Sequence, residues 1–266
     1  MKGIDYNFYA KIGSYNQAQM TPYGSLDWLP CDTKERFDEN LKTSPTDKNL
    51  LYYLDNPIKY NLNSKGFRTP DEFSIEEEGN VFLGCSHTVG IGLPLEKVWS
   101  YKVSQRIGGL FWNMGIGGTG PMTHFRVLLG FHKQMKIKNI FHFAPKYGRY
   151  EFLVNGEPEP IQLNHGNDWF KYFGKSIDET FLDYRQQSYF HHLCYYGIKG
   201  LAEEIGAKYH YISDLKYDSL NNPKTYIDRP NVLRARDLVH FDEEIHQMIC
   251  DDFLNLHEKS NNGGLI

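Results

Sequence analysis

The sequence predicts an α/β protein built on a parallel sheet, and two observations support this prediction. From Asn80 onward, short apolar runs alternate with longer amphipathic runs. Strands and helices that alternate at this short spacing form parallel strands joined by crossover helices. The composition fits one folded domain with additions, because 40% of the 266 residues are hydrophobic and 23% are charged.

The first five elements follow from local patterns. Pro94 is favourable in the first turn of a helix, and Gly108 is a stop signal. Apolar runs bounded by polar or glycine residues indicate buried strands. The predicted elements are the strand "NVFLGCS" (80–86), the helix "PLEKVWSYKVSQRIG" (94–108), the strand "LFWNMGI" (110–116), the helix "MTHFRVLLGFHKQMK" (122–136) and the strand "NIFHFAP" (139–145).

The rest of the chain adds an insertion, a long helix, a strand and a closing helix. The insertion, at about 146–176, is polar, aromatic and irregular, and its length is typical of a functional loop. Ser176 and Glu179 have the spacing of a capping box at the start of the long helix. Its predicted core face contains Phe190, Leu193, Cys194, Gly197, Leu201 and Ile205. The strand is "KYHYISD" (208–214), and the last helix runs from about 242 to 256.

Two regions are therefore expected. Residues 80–260 form the main domain, and residues 1–79 form a loop-rich extension that packs on it. The extension contains scattered Pro, Gly, Asn and Asp with only short apolar clusters.

Composition and charge exclude several functions. A net charge of −4 lacks the basic footprint of a nucleic-acid binder, so we expect no nucleic-acid partner. No window approaches the roughly 18 apolar residues of a membrane span, and the N-terminus lacks the apolar region of a secretory signal. We therefore expect a cytoplasmic protein without a membrane partner. The four cysteines show no CxxC or zinc spacing, which favours free thiols and no metal.

Three segments provide candidate catalytic groups. Active sites of open parallel sheets lie outside the carboxyl ends of the strands, where Ser86 follows the first predicted strand. Asp237 and His240, three apart before the last helix, could form an oriented general base for a serine. The backbone N–H of Gly118, in the glycine-rich "NMGIGGTG", could point at a developing oxyanion.

Each candidate also has a simpler structural interpretation. Ser86 could be a helix cap or turn residue, Asp237 and His240 a capping ion pair, and Gly118 a glycine required by sterics alone. Arg149 could bind an anionic substrate group, but pairing with Glu151 is the favoured interpretation.

Taken in order, "FLGCSHTVG", "NMGIGG" and "ARDLVH" resemble the serine, glycine and Asp-x-x-His blocks of the SGNH hydrolases, the GDSL-type esterases and lipases. The resemblance covers roughly residues 59–257. It implies a three-layer α/β/α sandwich with about five parallel strands. It also implies Ser86 as nucleophile, His240 as general base, Asp237 as its orienting partner, and the N–H groups of Ser86 and Gly118 as oxyanion donors.

The chain departs from the family pattern at two places. Cys85 precedes the serine where an aspartate is usual. The family's Gly-x-Asn-Asp block is replaced by "APKYGRYEF", so the asparagine that donates to the oxyanion is missing. Candidates for a substitute donor are Lys146 and Tyr147, with Asn167 in "HGND" ranked lower because it lies inside the insertion.

The expected function is that of a serine esterase acting on a small-molecule or carbohydrate ester, most simply a short acyl group such as O-acetyl. No metal or organic cofactor is expected. Two alternatives stay open: an acyltransferase that uses the same triad, and a non-catalytic binding or structural protein with a degenerate site.

Overall fold

The computed structural model of the protein describes residues 6–11, 24–162, 183–214 and 232–262. Its helices are α1 (Tyr6–Tyr9), α2 (Lys34–Thr43), α3 (Lys48–Asp55), α4 (Ser86–Val89), α5 (Trp99–Ile107), α6 (Pro121–Phe131), α7 (Tyr184–Glu204) and α8 (Glu243–Asn261). Its strands are β1 (Gly24–Leu26), β2 (Tyr60–Leu62), β3 (Glu78–Gly84), β4 (Leu110–Asn113), β5 (Lys136–Ala144), β6 (Arg149–Val154), β7 (Glu157–Gln162) and β8 (Lys208–Ser213). No helix in these ranges combines the length and the apolar character needed to cross a bilayer.

The central sheet contains four parallel strands in the order β4-β3-β5-β8. The register sets Val81 of β3 opposite Trp112 of β4 and Ile140 of β5. The α/β prediction is confirmed, with four strands in the described part of the chain against about five expected. Since β3 lies between β4 and β5, the segments that follow these three strands meet at one edge of the sheet.

Helices pack on both faces of this sheet, because alternate residues of a strand point to opposite sides. Val81 and Leu83 of β3 face α6 and α7, whereas Phe82 faces α5 and α8. The two apolar clusters include Val127 and Ile198 on the first side and Trp99, Ile245 and Phe253 on the second. This arrangement agrees with a layer of helices on each side of the sheet.

Helix α7 differs in detail from the prediction. It begins at Tyr184, with Asp183 accepting a hydrogen bond from the N–H of Arg185 as the N-cap. The predicted capping box of Ser176 and Glu179 lies outside the described residues. Leu193, expected in the core, is 49% exposed, while Ile198 is fully buried. The face that packs on the sheet is therefore rotated relative to the predicted one.

The described part of the N-terminal region, residues 6–11 and 24–79, contains more helix than expected. Helices α2 and α3 start at the caps Thr33 and Asp47, whose side chains accept backbone N–H groups of the first turn. Leu50 and Tyr53 of α3 are buried in a cluster that also contains Val89 and Ile91, which lie beside Ser86. The segment thus packs directly against the end of the sheet that carries the candidate nucleophile.

The first part of the insertion forms a hairpin rather than an irregular loop. Strands β6 and β7 pair antiparallel around a turn at Asn155 and Gly156, whose φ angles are +52° and +81°. Two positive φ angles at an Asn-Gly pair are typical of a tight hairpin turn. Glu151 of β6 accepts hydrogen bonds from Arg126 of α6 at 2.6 and 2.9 Å, and both side chains are buried. This ion pair fixes the hairpin to α6.

Candidate active site

Ser86 is the first residue of α4 and lies at the carboxyl end of β3. Its neighbour Cys85 accepts hydrogen bonds from the N–H groups of Thr88 and Val89, which turn the chain sharply after the strand. Gly84 permits this turn, because a Cβ there would lie 2.8 Å from the carbonyl oxygen of Phe143 and closer still to Thr88. Ser86 is only 8% exposed. The predicted nucleophile therefore lies at the expected edge of the sheet, in a sheltered position.

Asp237 and His240 form a hydrogen-bonded pair in the loop before α8. His240 Nδ1 lies 2.5 Å from Asp237 Oδ2. The other oxygen, Oδ1, accepts the N–H groups of Val239 at 3.1 Å and His240 at 3.2 Å. Both side chains of the pair are almost fully buried. The carboxylate thus holds both the imidazole ring and the backbone that carries it.

The ionisation of Asp237 suits this role. Burial alone would raise the pKa of this carboxyl, but the charge of His240 and the hydrogen bonds from His240 and Val239 outweigh burial and lower the pKa below its ordinary value. An ionised carboxylate accepts the Nδ1–H of the imidazole. The Nε2 atom of His240 is then the one left to accept a proton from another group.

The loop of this pair packs on the segment that follows Ser86. The N–H of Arg236 donates to the carbonyl of Gly92 at 2.7 Å, and the N–H of Ile91 donates to the carbonyl of Ser86 at 3.2 Å. Gly92 has a φ of +82°, and a Cβ there would lie 3.3 Å from Asp237 Oδ1. A glycine at this position therefore allows the acid–base pair and the serine segment to approach each other closely.

His87, the residue that follows Ser86, lies beside the Asp237–His240 pair. Its ring lies 5.3 Å from the ring of His240 and stacks on Phe241 at 3.7 Å. The Ser86 hydroxyl points to Cys85 Sγ at 3.9 Å, and no hydrogen bond joins Ser86 Oγ to His240 among the residues that the structure describes. Such bonds are often long or misaligned before substrate binds. The structure therefore shows the Asp237–His240 contact, and it places His240 beside His87, the residue that follows Ser86.

His87 itself is neutral. Burial lowers its pKa well below the ordinary value, and the neighbouring His240, His246, Arg149 and Lys146 side chains lower it further. A neutral ring beside His240 does not repel a proton that His240 accepts. His87 therefore lines the site without competing as a base.

The glycine-rich segment after β4 runs beside α4. The N–H of Ile116 donates to the carbonyl of Gly84 at 3.0 Å, and a Cβ on Gly115 would lie 2.7 Å from the backbone nitrogen of Val89. Gly118 has a φ of +76° and is partly exposed between buried neighbours. The segment thus carries the predicted oxyanion donor along the edge of the serine turn.

Two buried histidines, for which the sequence predicts no role, support the glycine-rich segment through Thr119. His124 of α6 lies 3.2 Å from Thr119 Oγ1 and 3.1 Å from the ring of His142 on β5, which in turn lies 2.8 Å from the hydroxyl of Tyr209. Burial, with a contribution from His191, lowers the pKa of His142 to about 3. A neutral imidazole can donate one hydrogen bond and accept one, so this series of hydrogen bonds links Thr119, the residue after Gly118, to the sheet. Their separation in sequence leaves no local signal for the contact.

The structure shows contacts for one of the residues proposed to replace the missing asparagine. The ring of Tyr147 packs against His191 at 4.6 Å and Tyr184 at 5.1 Å, on α7. The charge of Lys146 contributes, after larger effects, to the lowered pKa of His87. Asn167 lies outside the described residues.

In the described ranges, no group of three His, Cys, Asp or Glu side chains is arranged to hold a metal ion. Comparisons of the chain with protein-family models, curated proteins and solved structures find no match. The chemical interpretation of the site accordingly depends on its own residues.

Proposed function

We propose that the protein is a serine esterase of the SGNH type that hydrolyses carboxylic esters through an acyl-enzyme on Ser86. The observation that carries the proposal is the His240 ring, bound at Nδ1 to the buried carboxylate of Asp237 and adjacent to the residue that follows Ser86. A buried carboxylate that orients an imidazole beside a serine is the arrangement that activates serine nucleophiles.

In the first half-reaction, Ser86 Oγ bonds to the carbonyl carbon of the ester while its proton passes to His240 Nε2. The tetrahedral oxyanion then collapses, and the bond from the carbonyl carbon to the alkoxy oxygen breaks. The leaving alkoxide takes the proton from His240 and departs as the alcohol. Asp237 stabilises the imidazolium that exists between these two proton transfers.

In the second half-reaction, His240 accepts a proton from water as the water oxygen attacks the acyl carbon. The bond to Ser86 Oγ breaks, the proton returns from His240 to Ser86, and the carboxylic acid is released. These steps consume one ester and one water and require neither a metal ion nor an organic cofactor.

The oxyanion is stabilised by the backbone N–H groups of Ser86 and Gly118, with Lys146 in place of the family's asparagine. The close approach of the glycine segment to α4 supports the backbone donors, and Lys146 follows the end of β5, where the family's asparagine block is expected. Loss of one such donor costs about 10²–10³ in rate. We propose a short acyl ester as substrate, such as an O-acetyl group on a small molecule or a carbohydrate.

The test is hydrolysis of p-nitrophenyl acetate by the wild type and by Ser86→Ala. We expect the variant to lose at least about 10³-fold in kcat/KM, because no other group replaces the nucleophile. Ser104→Ala, which alters another buried serine on α5, is the control and should keep wild-type activity. Folded wild type without activity, or full activity in Ser86→Ala, would contradict the proposal.

A further inference from the structure

The hairpin places Arg149, the first residue of β6, beside the glycine segment of the site. Its Nη1 donates to the carbonyl of Thr119 at 3.4 Å. Gly120 is so close that a Cβ there would collide with the Arg149 backbone and lie 2.9 Å from its Cβ. The guanidinium therefore contacts Thr119, the residue that follows Gly118, the proposed oxyanion donor.

Among the residues that the structure describes, this guanidinium has no carboxylate partner. The expected pairing with Glu151 is wrong, because both oxygens of Glu151 are bound by Arg126, at 2.6 and 2.9 Å. Within the ranges that the structure describes, Arg149 forms no ion pair, and its hydrogen bond through Nη1 leaves most of its five N–H donors available. A partly buried guanidinium without a counter-ion is a ready partner for an anion.

The charge of Arg149 also acts on two histidines at the edge of the site. Burial and neighbouring histidines are the main causes that lower the pKa of His87 and of His124. The charge of Arg149 lowers both pKa values further, and Lys146 adds to the effect at His87. Arg149 therefore places a positive charge near the serine turn, and a positive charge in a crevice attracts anionic ligands.

We propose that Arg149 binds an anionic group of the substrate, so that the ester hydrolysed at Ser86 carries a carboxylate near its scissile bond. The planar guanidinium can bind a carboxylate with two parallel hydrogen bonds. This inference rests on the proposed esterase function and adds to it the class of ester.

The test uses one matched pair of compounds, 4-acetoxybenzoate and its neutral methyl ester. Binding of each is measured by calorimetry to Ser86→Ala, which does not turn them over, and hydrolysis of each is measured with the wild type. We expect the acid to bind about tenfold more tightly than the methyl ester and to show about tenfold higher kcat/KM. Arg149→Gln should reduce two ratios of the acid to the methyl ester, that of the affinities and that of kcat/KM, to about one. Arg149→Lys should keep part of the preference for the acid.

The control variant is Arg185→Gln, which changes an exposed arginine paired with Asp183 at the start of α7 and should leave both ratios unchanged. Equal binding of the two compounds to Ser86→Ala, or a preference that survives Arg149→Gln, would overturn the inference whether or not the protein is an esterase. A preference that depends on Arg149 in binding, without hydrolysis by the wild type, would support the anion site and contradict the esterase.

Discussion

At the scale of single residues, the proposed chemistry requires the carboxylate of Asp237, which accepts three hydrogen bonds in the site. One of its oxygens fixes the His240 ring, and the other fixes the backbone of Val239 and His240. The lowered pKa of Asp237 keeps it charged at neutral pH. The two functions of the carboxylate can be separated by a substitution that preserves shape but removes charge.

Asp237→Asn makes this separation. The amide oxygen can still accept the two backbone N–H groups, but the amide cannot accept the Nδ1–H of His240 as a carboxylate does. We expect kcat for p-nitrophenyl acetate to fall by about 10³–10⁴-fold, with the fold retained. Steady-state kinetics and circular dichroism measure the two effects.

A matched control is Asp251→Asn, which changes an exposed carboxylate of α8 that bonds Gln247. This variant should keep the wild-type kcat. A loss of less than about tenfold in Asp237→Asn would show that His240 is not the base or that another group orients it.

At the scale of elements, the N-terminal segment braces the loop that carries the acid–base pair. Arg236, next to Asp237, binds Asp32 with Nη2–Oδ2 at 2.7 Å and Nε–Oδ1 at 2.9 Å, and the two residues are 2% and 1% exposed. Tyr60 donates to the same carboxylate, and its hydroxyl accepts the N–H of Gly92 at 2.9 Å. The network therefore joins the N-terminal segment, the serine segment and the Asp237 loop.

Asp32→Asn should weaken both stability and activity. Removing one partner leaves the buried charge of Arg236 uncompensated, which typically costs about 3–5 kcal/mol. The displaced loop should also lower kcat/KM by moving Asp237 and His240. Urea unfolding measures the free energy, and ester hydrolysis measures the activity.

The neighbouring carboxylate of Asp27 provides the control, since it forms an exposed ion pair with Lys59. Asp27→Asn should change the free energy of unfolding by less than about 1 kcal/mol. Equal effects of the two substitutions would contradict the bracing role of the N-terminal segment.

The sequence predicts those elements that have a strong local pattern. The apolar runs of β3, β4 and β5 indicate parallel strands, and their order places Ser86 and Gly118 at one edge of the sheet. The contact between Asp32 and Arg236 spans 204 positions and has no local signal. Contacts of this kind depend on the packed tertiary structure.

For some other elements, the local sequence signals conflict with one another. Asn155–Gly156 is a strong hairpin signal, but Pro158 and Pro160 argue against a strand at β7 because proline lacks an N–H donor. A strand at the edge of a two-stranded sheet tolerates them. Thr33 and Asp47 are good N-caps for α2 and α3, yet the surrounding Pro, Gly and Asn residues favoured loops.

At the scale of the whole molecule, several buried histidines make stability depend on pH. Burial is the main cause that lowers the pKa of His142 and His246 to about 3 and that of His191 to about 4, against an ordinary value of 6.5. As pH falls below 6.5, the unfolded chain binds protons that the folded chain does not. Stability is therefore full above 6.5 and decreases as pH falls toward about 3.

His246→Gln should reduce this dependence. His246 Nδ1 accepts the N–H of Trp99 at 3.1 Å, and the glutamine oxygen is an alternative acceptor. Each such histidine contributes on the order of 1.4 kcal/mol per pH unit, so the variant should lose less stability than the wild type between pH 7 and pH 5. Urea unfolding at the two pH values measures the difference.

Ile249→Val, on the same buried face of α8, is the control for lost packing. It should lower the free energy of unfolding by about 0.5–1.5 kcal/mol equally at both pH values. A pH dependence in His246→Gln as steep as that of the wild type would contradict the account of His246.

The proposal that Ser86 is a nucleophile can be tested by labelling with a fluorophosphonate probe, followed by mass mapping of tryptic peptides. Ser86 falls in the peptide 69–97, between Arg68 and the cleavage after Lys97. We predict one covalent adduct, on Ser86, that is absent in Ser86→Ala and forms much more slowly in Asp237→Asn. No adduct on the folded wild type, or an adduct that persists in Ser86→Ala, would contradict the claim.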